Sequence, residues 1–363
     1  MCQYIVDEAA LTENIRIIKN LAKDVPVWAV LKGNGYGLGV TAMARRLQAE
    51  GISRFCVADA AEAQALRLAG FSGASVLMLQ PTSDPRQLDR LLRLDVICTV
   101  SSWCDATALN AAAARAGRKA EAHIKVDTGM GRYGFLPEEL DQIRAVYRQL
   151  PRIEVTGIYT HFSQAQTSYE QTRKQFRRFH YLVDSLIAEG IQPGQAHCCS
   201  SAAFLKYPEM RMDAVRIGSA FLGRMPYLSR FGLRRVGICE APVEEIRVVE
   251  KGQRIGYGGA WRAARRTRLA LVAVGWYHGF TVEYQRDCFR FRDCLRGCLG
   301  WVRSWFVHRR LWAEIGSCRC PVCGHTGMLY TAIDVTDCPC QVGDRVLLDI
   351  SPVEQRGMEI LFR

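Results

Sequence analysis

The sequence predicts an α/β barrel of eight parallel strands followed by a mostly β C-terminal domain. Two observations lead to this prediction. Short apolar runs alternate with amphipathic segments eight times before residue 220, and the alternation stops after about Leu233. Alternating strands and helices form parallel sheets, and eight βα units close into a barrel. A chain of 363 residues is long enough to form two domains. We expect them at residues 1–233 and 234–363.

Each predicted barrel strand is a short apolar run that precedes a helix-like segment. Such runs occupy residues 25–31, 54–58, 75–79, 95–100, 121–126, 154–161, 195–199 and 213–218. The amphipathic segments between them, such as TAMARRLQAEG and AAEAQALRLAG, end on glycine, which is typical of a helix C-cap. The order of these signals favours βα units in succession.

The last third of the chain carries strand signals without intervening helices. The segments EAPVEEIRVVE, RTRLALVAVGW, LYTAIDVTD and DRVLLDIS alternate in polarity or contain β-branched runs. Turns are predicted at Lys251-Gly252 and Gly343-Asp344. These features predict the mostly β domain.

Composition limits the classes of function. Lys and Arg (48) exceed Asp and Glu (36), for a formal charge of +12. This excess suits an anionic ligand and is equally typical of a nucleic-acid or membrane surface. The first residues, MCQYIVDEAALTEN, do not resemble a signal peptide, and no apolar run is long enough to span a bilayer. Fifteen cysteines then indicate reduced thiols, so we expect a cytoplasmic protein.

Lys32 stands in the most informative segment, AVLKGNGYGLG. It falls at the end of the first predicted strand, and the glycines after it let the backbone approach a bulky ligand. Apolar surroundings lower the proton affinity of a lysine, and the resulting free amine can form an imine with an aldehyde cofactor. The alternative is a glycine-rich turn with a lysine at its rim.

Polar residues also follow the later predicted strands, at the edge where such barrels place their active sites. In chain order they are Lys125, Asp127, His161, Ser200, Ser201, Arg216, Gly218 and Ser219. Small and hydroxyl residues after the last two strands often bind phosphate in this architecture. A phosphorylated aldehyde cofactor that reaches Lys32 accounts for the set. Any one of these residues alone would more often be a core or salt-bridged residue.

Six segments together resemble the alanine racemase family of pyridoxal 5′-phosphate enzymes. They are AVLKGNGYGLG, HIKVDTGMGRYGF, IYTHFSQA, AHCCSSAA, AVRIGSAFLG and RIGYGGAW, in the order of the family. By this resemblance Lys32 would carry the internal aldimine of the cofactor. Its phosphate would be held by Tyr36, Ser201, Gly218 and Ser219.

The resemblance also implies roles for other cavity residues. Arg216 would meet the pyridine nitrogen, and His161 would support Arg216 by a hydrogen bond. Arg132 would orient the substrate. Lys125 matches a position that is often carbamylated in the family, where the modified side chain helps to fix Arg132.

Inverting a Cα centre requires two acid/base groups, one on each face. Lys32 can serve one face, and Tyr257, in RIGYGGAW, matches the second base that the partner subunit delivers across a dimer interface. The resemblance thus implies a homodimer with shared active sites that racemises L- and D-alanine. The alternatives are a serine or broad-specificity racemase and, in another class, an inactive cofactor-binding protein. No nucleic-acid partner and no membrane span are expected.

Two segments depart from the family pattern. Residues 275–279 read Gly-Trp-Tyr-His-Gly instead of Gly-Tyr-Ala-Asp-Gly, which implies a remodelled substrate entrance. Residues 328–330 read Met-Leu-Tyr instead of Met-Asp-Gln. Met328 can still offer its backbone N–H to a substrate carboxylate.

Residues 281–312 form an insertion longer than the usual link. Five apolar residues recur at helical spacing among arginines: Phe291, Leu295, Leu299, Val302 and Phe306. We expect a basic amphipathic helix that packs on the domain. Binding to RNA or to an anionic membrane surface is the alternative.

Cysteines near the C-terminus have partial zinc-site spacing. They are Cys318, Cys320, Cys323, Cys338 and Cys340, with His325 among them. The Cys-Pro-Cys at 338–340 is tighter than a usual zinc knuckle. We therefore expect reduced loop cysteines and no metal, with zinc as the alternative.

Overall fold

The computed structural model describes residues 2–224, 228–282, 291–306 and 311–363. The chain forms two compact units. One comprises residues 9–235, and the other comprises residues 236–363 together with the N-terminal residues up to Glu8. The chain begins with strand β1 (Gln3–Val6) and helix α1 (Glu8–Ala22).

Eight parallel strands close the barrel of the first unit, which confirms the predicted fold class. They are β2 (Val27–Val30), β3 (Arg54–Val57), β4 (Ser75–Met78), β5 (Ile97–Val100), β6 (Ala120–Lys125), β7 (Ile153–Tyr159), β8 (Gln195–Cys199) and β9 (Ala214–Ile217). Each strand overlaps its predicted run. The barrel closes where β9 pairs with β2, with Val27 opposite Val215.

Helices alternate with these strands as the glycine-terminated segments indicate. They are α2 (Val40–Ala49), α3 (Ala60–Leu68), α4 (Pro85–Arg93), α5 (Trp103–Arg115), α6 (Leu140–Gln149), α7 (Tyr169–Ala188) and α8 (Ser201–Lys206). Side-chain N-caps begin several of them. Asp59, for example, accepts hydrogen bonds from the N–H groups of Ala61 and Glu62 at the start of α3.

The barrel interior combines an apolar cluster with buried imidazoles. The cluster includes Val30, Leu77 and Ile97. The ring of His197 stacks on the ring of Tyr159, with 5.1 Å between centroids, and on Trp28 at 6.4 Å. A buried histidine in such a layer must satisfy its ring nitrogens inside the barrel, and the partners of His197 belong to the site described below.

The second unit is mostly β, as predicted. Its strands are β10 (Gly237–Val249), β11 (Arg254–Ile255), β12 (Trp261–Arg262), β13 (Thr267–Val272), β14 (Trp312–Ile315), β15 (Cys318–Cys323), β16 (Thr331–Asp334), β17 (Arg345–Leu348) and β18 (Glu359–Phe362). The main sheet has the order β13-β16-β15-β14-β17-β10-β1-β18, and β11 pairs with β12 as a separate hairpin.

The N-terminal strand belongs to this second sheet, although the predicted division at residue 233 assigned it to the barrel. Strand β1 lies antiparallel to β10, with Tyr4 opposite Cys239, and parallel to β18. The Tyr4 side chain is fully buried, and its hydroxyl donates to the carbonyl of Ile350 (2.9 Å). A short apolar run predicts a strand without indicating which sheet it joins.

The insertion contains helix α9 (Phe291–Phe306), which confirms the predicted helix. Its predicted packing is wrong where the structure describes the side chains, because Phe291 and Leu295 are 81% and 49% exposed. Leu299 and Val302 are also more than half exposed, at 61% and 57%. The side chain of Phe306, and residues 283–290 and 307–310, lie outside the described part of the chain.

Two further findings concern the described residues as a whole. No helix among them is long and apolar enough to cross a membrane. None of the fourteen cysteines that the structure describes forms a disulfide.

Candidate functional site

A cavity of about 310 Å³ lies at the C-terminal ends of the barrel strands. Ten residues that the sequence singled out line it: Lys32, Tyr36, Lys125, Arg132, His161, Ser200, Ser201, Arg216, Gly218 and Ser219. Four of them are lysine or arginine, and among the described residues no aspartate or glutamate joins the lining. Cationic walls without carboxylates select a multiply anionic ligand.

Lys32 begins an unusual turn directly after β2. Gly33, Asn34, Gly35 and Tyr36 have φ values of +66°, +52°, +63° and +56°, which is a left-handed helical turn. Left-handed backbone costs about 1–2 kcal/mol for a residue with a side chain, so surrounding contacts must hold Asn34 and Tyr36 in place. The turn leaves Lys32 at the cavity wall, where burial first and the charge of Arg132 second lower the pKa of its amine.

Glu62 of α3 holds this turn, and the sequence analysis did not single it out. One carboxylate oxygen accepts the N–H of Asn34 and the other accepts the N–H of Ala58, both at 2.7 Å. The side chain of Asn34 in turn accepts the N–H of Val40 (3.0 Å). Only 9% of Glu62 is exposed, so these hydrogen bonds are formed with little competition from water.

Backbone N–H groups and hydroxyls converge at another end of the cavity. Ser201 Oγ accepts the N–H of Gly218 (3.1 Å) and of Ala220 (3.3 Å). The Tyr36 hydroxyl accepts the N–H of Ser219, and burial raises the pKa of this phenol to about 12. A Cβ at position 218 would lie 2.2 Å from Tyr36 Oη, so only glycine fits. This cradle of N–H and O–H donors fits a phosphate.

The Asp127 carboxylate shapes the loop that carries Arg132. It accepts three backbone N–H groups, those of Gly129 (2.9 Å), Met130 (2.7 Å) and Arg132 (2.8 Å). Burial acts to raise the pKa of Asp127, but these N–H donors outweigh it and the pKa is lowered. Asp127 therefore stays ionised and fixes the loop, which sets the start of the Arg132 side chain at the cavity.

Lys125 is the most deeply buried cation of the site, with 1% of its surface exposed. Its Nζ donates to the carbonyl of Tyr133 (2.8 Å). Burial lowers its pKa to about 8, with further contributions from the charges of Arg132 and Arg216. A substantial fraction of this amine is therefore neutral near physiological pH.

Arg216 is 4% exposed and is held by three hydrogen bonds. Nη1 donates to His197 Nδ1 (2.6 Å) and to the His197 carbonyl (3.0 Å), and Nη2 donates to the Thr160 carbonyl (2.6 Å). The sequence prediction gave the supporting role to His161, and that assignment is wrong. His197 takes the role because it lies within β8 and points into the barrel, whereas His161 follows the end of β7.

The hydrogen bonds of Arg216 also fix the protonation of two buried histidines. Guanidinium can only donate, so His197 Nδ1 accepts and its proton is on Nε2. Nε2 then donates to His123 Nδ1, 3.0 Å away. Burial, followed by the charge of Arg216, lowers the pKa of His197 well below its usual value and that of His123 to about 3. Both imidazoles are neutral, so the positive charge stays on Arg216.

His161 lines the same cavity without a hydrogen bond to Arg216 among the described residues. Burial and then the charges of Arg216, Arg132 and Lys125 lower its pKa to about 3. A neutral imidazole is compatible with a cavity that already contains four lysine and arginine side chains.

Tyr257 and Met328 belong to the second unit. Tyr257 follows β11 in a short turn and is 74% exposed, and a Cβ at Gly327 would lie 3.7 Å from its ring. The N–H groups of Trp276 and Tyr277 donate to the carbonyls of Gly327 and Met328, each at 3.1 Å. These bonds hold the Trp276–Tyr277 and Gly327–Met328 segments together. The large apolar residues exposed in these segments and at the neighbouring positions are Tyr257, Trp276, Tyr277, Met328, Leu329 and Tyr330.

Three cysteines of the second unit, Cys318, Cys320 and Cys338, lie close together as thiols. Cys338 forms side-chain hydrogen bonds with Cys318 and Cys320, and burial above all raises its pKa. Cys323, Cys340 and His325 complete the set considered for zinc. Within the ranges that the structure describes, no group of three or more His, Cys, Asp or Glu side chains is arranged to hold a metal ion.

The barrel, the amine of lowered pKa and the anion cradle define a class of enzyme, the α/β barrels that bind a phosphorylated aldehyde. The model of the alanine racemase N-terminal domain matches residues 6–226, and that of the alanine racemase C-terminal domain matches residues 237–357. The chain therefore belongs to the alanine racemase family. Members of this family use pyridoxal 5′-phosphate as their cofactor.

Relatives and solved structures agree with this assignment. The alanine racemase of Methylacidiphilum infernorum is 32% identical over 351 residues, which cover 94% of this chain and 82% of the relative. That of Symbiobacterium thermophilum is also 32% identical, with 94% and 86% covered. The structure of alanine racemase from Clostridium difficile 630 matches with a TM-score of 0.82 at 27% identity, over 99% of this chain and 88% of that one. The Bacillus anthracis enzyme with bound L-Ala-P matches with a TM-score of 0.81 at 26% identity, over 100% and 95%.

Proposed function

We propose that this protein interconverts L- and D-alanine with pyridoxal 5′-phosphate. The observation that carries the proposal is the carboxylate-free cavity in which a lysine of lowered pKa lies with a phosphate-type cradle and two arginines. The test is incubation of the cofactor-saturated protein with either enantiomer, read by chiral chromatography. Each enantiomer should yield the other, and Lys32→Ala should yield none. Conversion by Lys32→Ala at the wild-type rate would overturn the assignment of Lys32.

Different cavity residues would bind different parts of the cofactor. Tyr36, Ser201, Gly218 and Ser219 would hold its phosphate, Arg216 would face its ring nitrogen, and Lys32 would hold its aldehyde carbon. When bound, the cofactor withdraws electrons and acidifies the Cα–H bond of the amino acid. Arg216 donates hydrogen bonds but does not readily give up a proton, so it restrains protonation of the ring and favours racemisation over transamination.

The proton transfers need one group on each face of the substrate. The Nζ atom of Lys32, whose pKa is lowered by burial, can take the Cα proton on one face. A hydroxyl on the opposite face then returns a proton and inverts the centre. We assign that role to Tyr257 of the partner subunit, with Arg132 and the backbone N–H of Met328 binding the substrate carboxylate.

The dimer is part of this proposal. Six large apolar residues, Tyr257 among them, are exposed near the Trp276–Tyr277 and Met328 segments, and such exposure is typical of a protein interface. Mixing Lys32→Ala and Tyr257→Phe chains tests it. Recovery of activity after subunit exchange is expected, because one site of each heterodimer contains both intact residues. Failure to recover despite verified exchange would remove Tyr257 from the shared site.

We propose that Lys125 is carbamylated, as the family resemblance implies. Its buried amine has a lowered pKa, and both Arg132 and Arg216 are close enough to influence it. Reaction of the neutral amine with CO₂ forms an N–C bond and releases one proton, and the anionic product offsets the nearby guanidinium charge. Carbon-13 bicarbonate should give a carbamate resonance that is absent in Lys125→Met. The same resonance in both proteins would refute the modification at Lys125.

The substrate entrance bears on which amino-acid side chain the enzyme prefers. The Trp276–His278 turn differs from the family pattern and bonds to the Met328 loop, which supports a remodelled entrance. A serine or broad-specificity racemase is therefore the second candidate. A panel of amino acids at equal concentration distinguishes an alanine racemase from a serine or broad-specificity racemase. Alanine should turn over fastest, and a higher kcat/KM for serine would favour the serine or broad-specificity racemase.

We also propose a cytoplasmic location, since fourteen described cysteines form no disulfide. An inactive cofactor-binding protein is the alternative of another class. Exchange of the Cα proton of alanine with solvent distinguishes it from a racemase, because a binder that does not form a reactive complex leaves that proton in place.

A further inference from the structure

Helix α9 presents an apolar surface that the rest of the described chain does not cover. Phe291, Leu295, Leu299 and Val302 are each about half exposed or more. Their spacing of four, four and three residues places them within about 80° of arc on an α-helix. Single exposed apolar residues are ordinary on protein surfaces, whereas an aligned row of four over three turns is the kind of exposed apolar patch that marks interaction sites.

The helix that carries this row is also basic. Residues 291–306 contain three arginines and one aspartate, so their net charge is 3 − 1 = +2. The chain as a whole carries +12. The occupant of the apolar row therefore has to combine a hydrocarbon-like phase with negative charge.

Three occupants can be compared on these grounds. RNA supplies negative charge, but only Phe291 of the four residues has a ring on which a base can stack. A second copy of the helix in a two-fold contact would bring two basic segments together, and their charges would repel. An anionic lipid surface supplies both properties, because its acyl boundary accepts the apolar row and its headgroups attract the arginines.

We propose that helix α9 binds this protein peripherally to anionic lipid membranes, with Phe291, Leu295, Leu299 and Val302 inserted at the acyl boundary. The helix lies in the membrane plane and does not span it. This inference goes beyond racemisation and does not depend on it, since binding is measured without turnover.

Vesicle sedimentation of the cofactor-saturated full chain tests the proposal. The partition coefficient of the protein onto vesicles of equal parts phosphatidylcholine and phosphatidylglycerol should be at least about tenfold higher than onto pure phosphatidylcholine vesicles. High salt should abolish this difference. In the double variant Leu295→Asp/Leu299→Asp, the partition coefficient onto anionic vesicles should fall at least about tenfold, while racemase activity stays at the wild-type level. Leu68→Asp is the matched control, because Leu68 is 80% exposed on α3 of the other unit and should leave partitioning unchanged.

Several results would overturn the proposal. Equal sedimentation with neutral and anionic vesicles would remove the charge argument, and equal loss in the Leu68→Asp control would remove the role of the helix. A double variant that retains vesicle binding but changes the molar mass in light scattering would instead identify a second copy as the occupant. A shift of labelled RNA at the same ionic strength, without vesicle binding, would identify nucleic acid.

Discussion

Glu62→Gln is the perturbation that most sharply tests how the chain positions Lys32. The Glu62 carboxylate accepts the N–H groups of Asn34 and Ala58 at 2.7 Å each. Hydrogen bonds to a charged group contribute about 1.5–3 kcal/mol. Glutamine keeps one accepting oxygen, but its amide NH₂ faces the other N–H and leaves that donor without an acceptor, which costs about 1–3 kcal/mol. We expect a loss of about 2–4 kcal/mol in the free energy of unfolding.

Part of this loss should appear in cofactor binding, because the carboxylate holds the left-handed turn that carries Lys32 and Tyr36. If roughly half of it acts on the turn, the Kd for pyridoxal 5′-phosphate rises about tenfold. Urea unfolding gives the stability, and a fluorescence titration of the cofactor-free protein gives the Kd. Asp59→Asn is the matched control, because it alters a carboxylate that also accepts two N–H groups, and asparagine is an equally good N-cap. Equal effects of the two substitutions would refute a specific role for Glu62.

Three further predictions follow from the cavity. In CO₂-free buffer, where Lys125 is unmodified, burial lowers the pKa of its amine in the folded protein to about 8, below the unfolded value of 10.5. The free energy of unfolding should therefore rise by on the order of 3 kcal/mol as the pH increases from about 8 to 10.5. Lys125→Met in the same buffer should lack this rise, and an equal rise in both proteins would contradict the prediction. His197→Leu removes the Nδ1 acceptor of a buried Arg216 N–H and should lower the free energy of unfolding by about 2–3 kcal/mol in urea. His197→Asn keeps an acceptor near the position of Nδ1 and should lower it less, so equal losses in the two variants would argue against this hydrogen bond. Gly218→Ala should displace the phosphate cradle and weaken cofactor binding by at least about tenfold in the same titration, while Gly73→Ala, where a Cβ meets nothing within 4 Å, should not.

The fold was largely predictable from local patterns. Each barrel strand is an apolar run followed by an amphipathic segment, and both signals are contained in a few consecutive residues. The placement of β1 was not predictable in this way, because Tyr4 pairs with Cys239, more than two hundred residues away. Its partner depends on the complete second sheet, which no local pattern of the first residues contains.

The site was predictable where a residue follows a strand, and less so elsewhere. Lys32 and Arg216 occur at strand ends, where barrel architecture concentrates chemistry. His197 lies inside β8, among residues that read as core, and the available signal was the inward alternation of that strand. Glu62 looks like an ordinary helix residue in AAEAQALRLAG, and only the folded chain shows its carboxylate at the N–H of Asn34.

The exposed face of α9 shows a third limit of the sequence. Helical periodicity predicts that Leu295 and Leu299 share a face with Phe291, and the structure agrees. The same periodicity cannot tell whether a face meets a core or a partner, since both require the same spacing of apolar residues.

The central claim is that alanine is inverted by two bases on opposite faces, Lys32 and Tyr257 of the partner subunit. The most direct measurement is deuterium incorporation at Cα of each alanine enantiomer in D₂O, by mass spectrometry, for the wild type and for Tyr257→Phe. The wild type should exchange and invert both enantiomers. Tyr257→Phe should invert neither, while D-alanine alone continues to exchange through Lys32. Equal residual exchange from both enantiomers in Tyr257→Phe would contradict the account, because another group would then serve the face assigned to Tyr257.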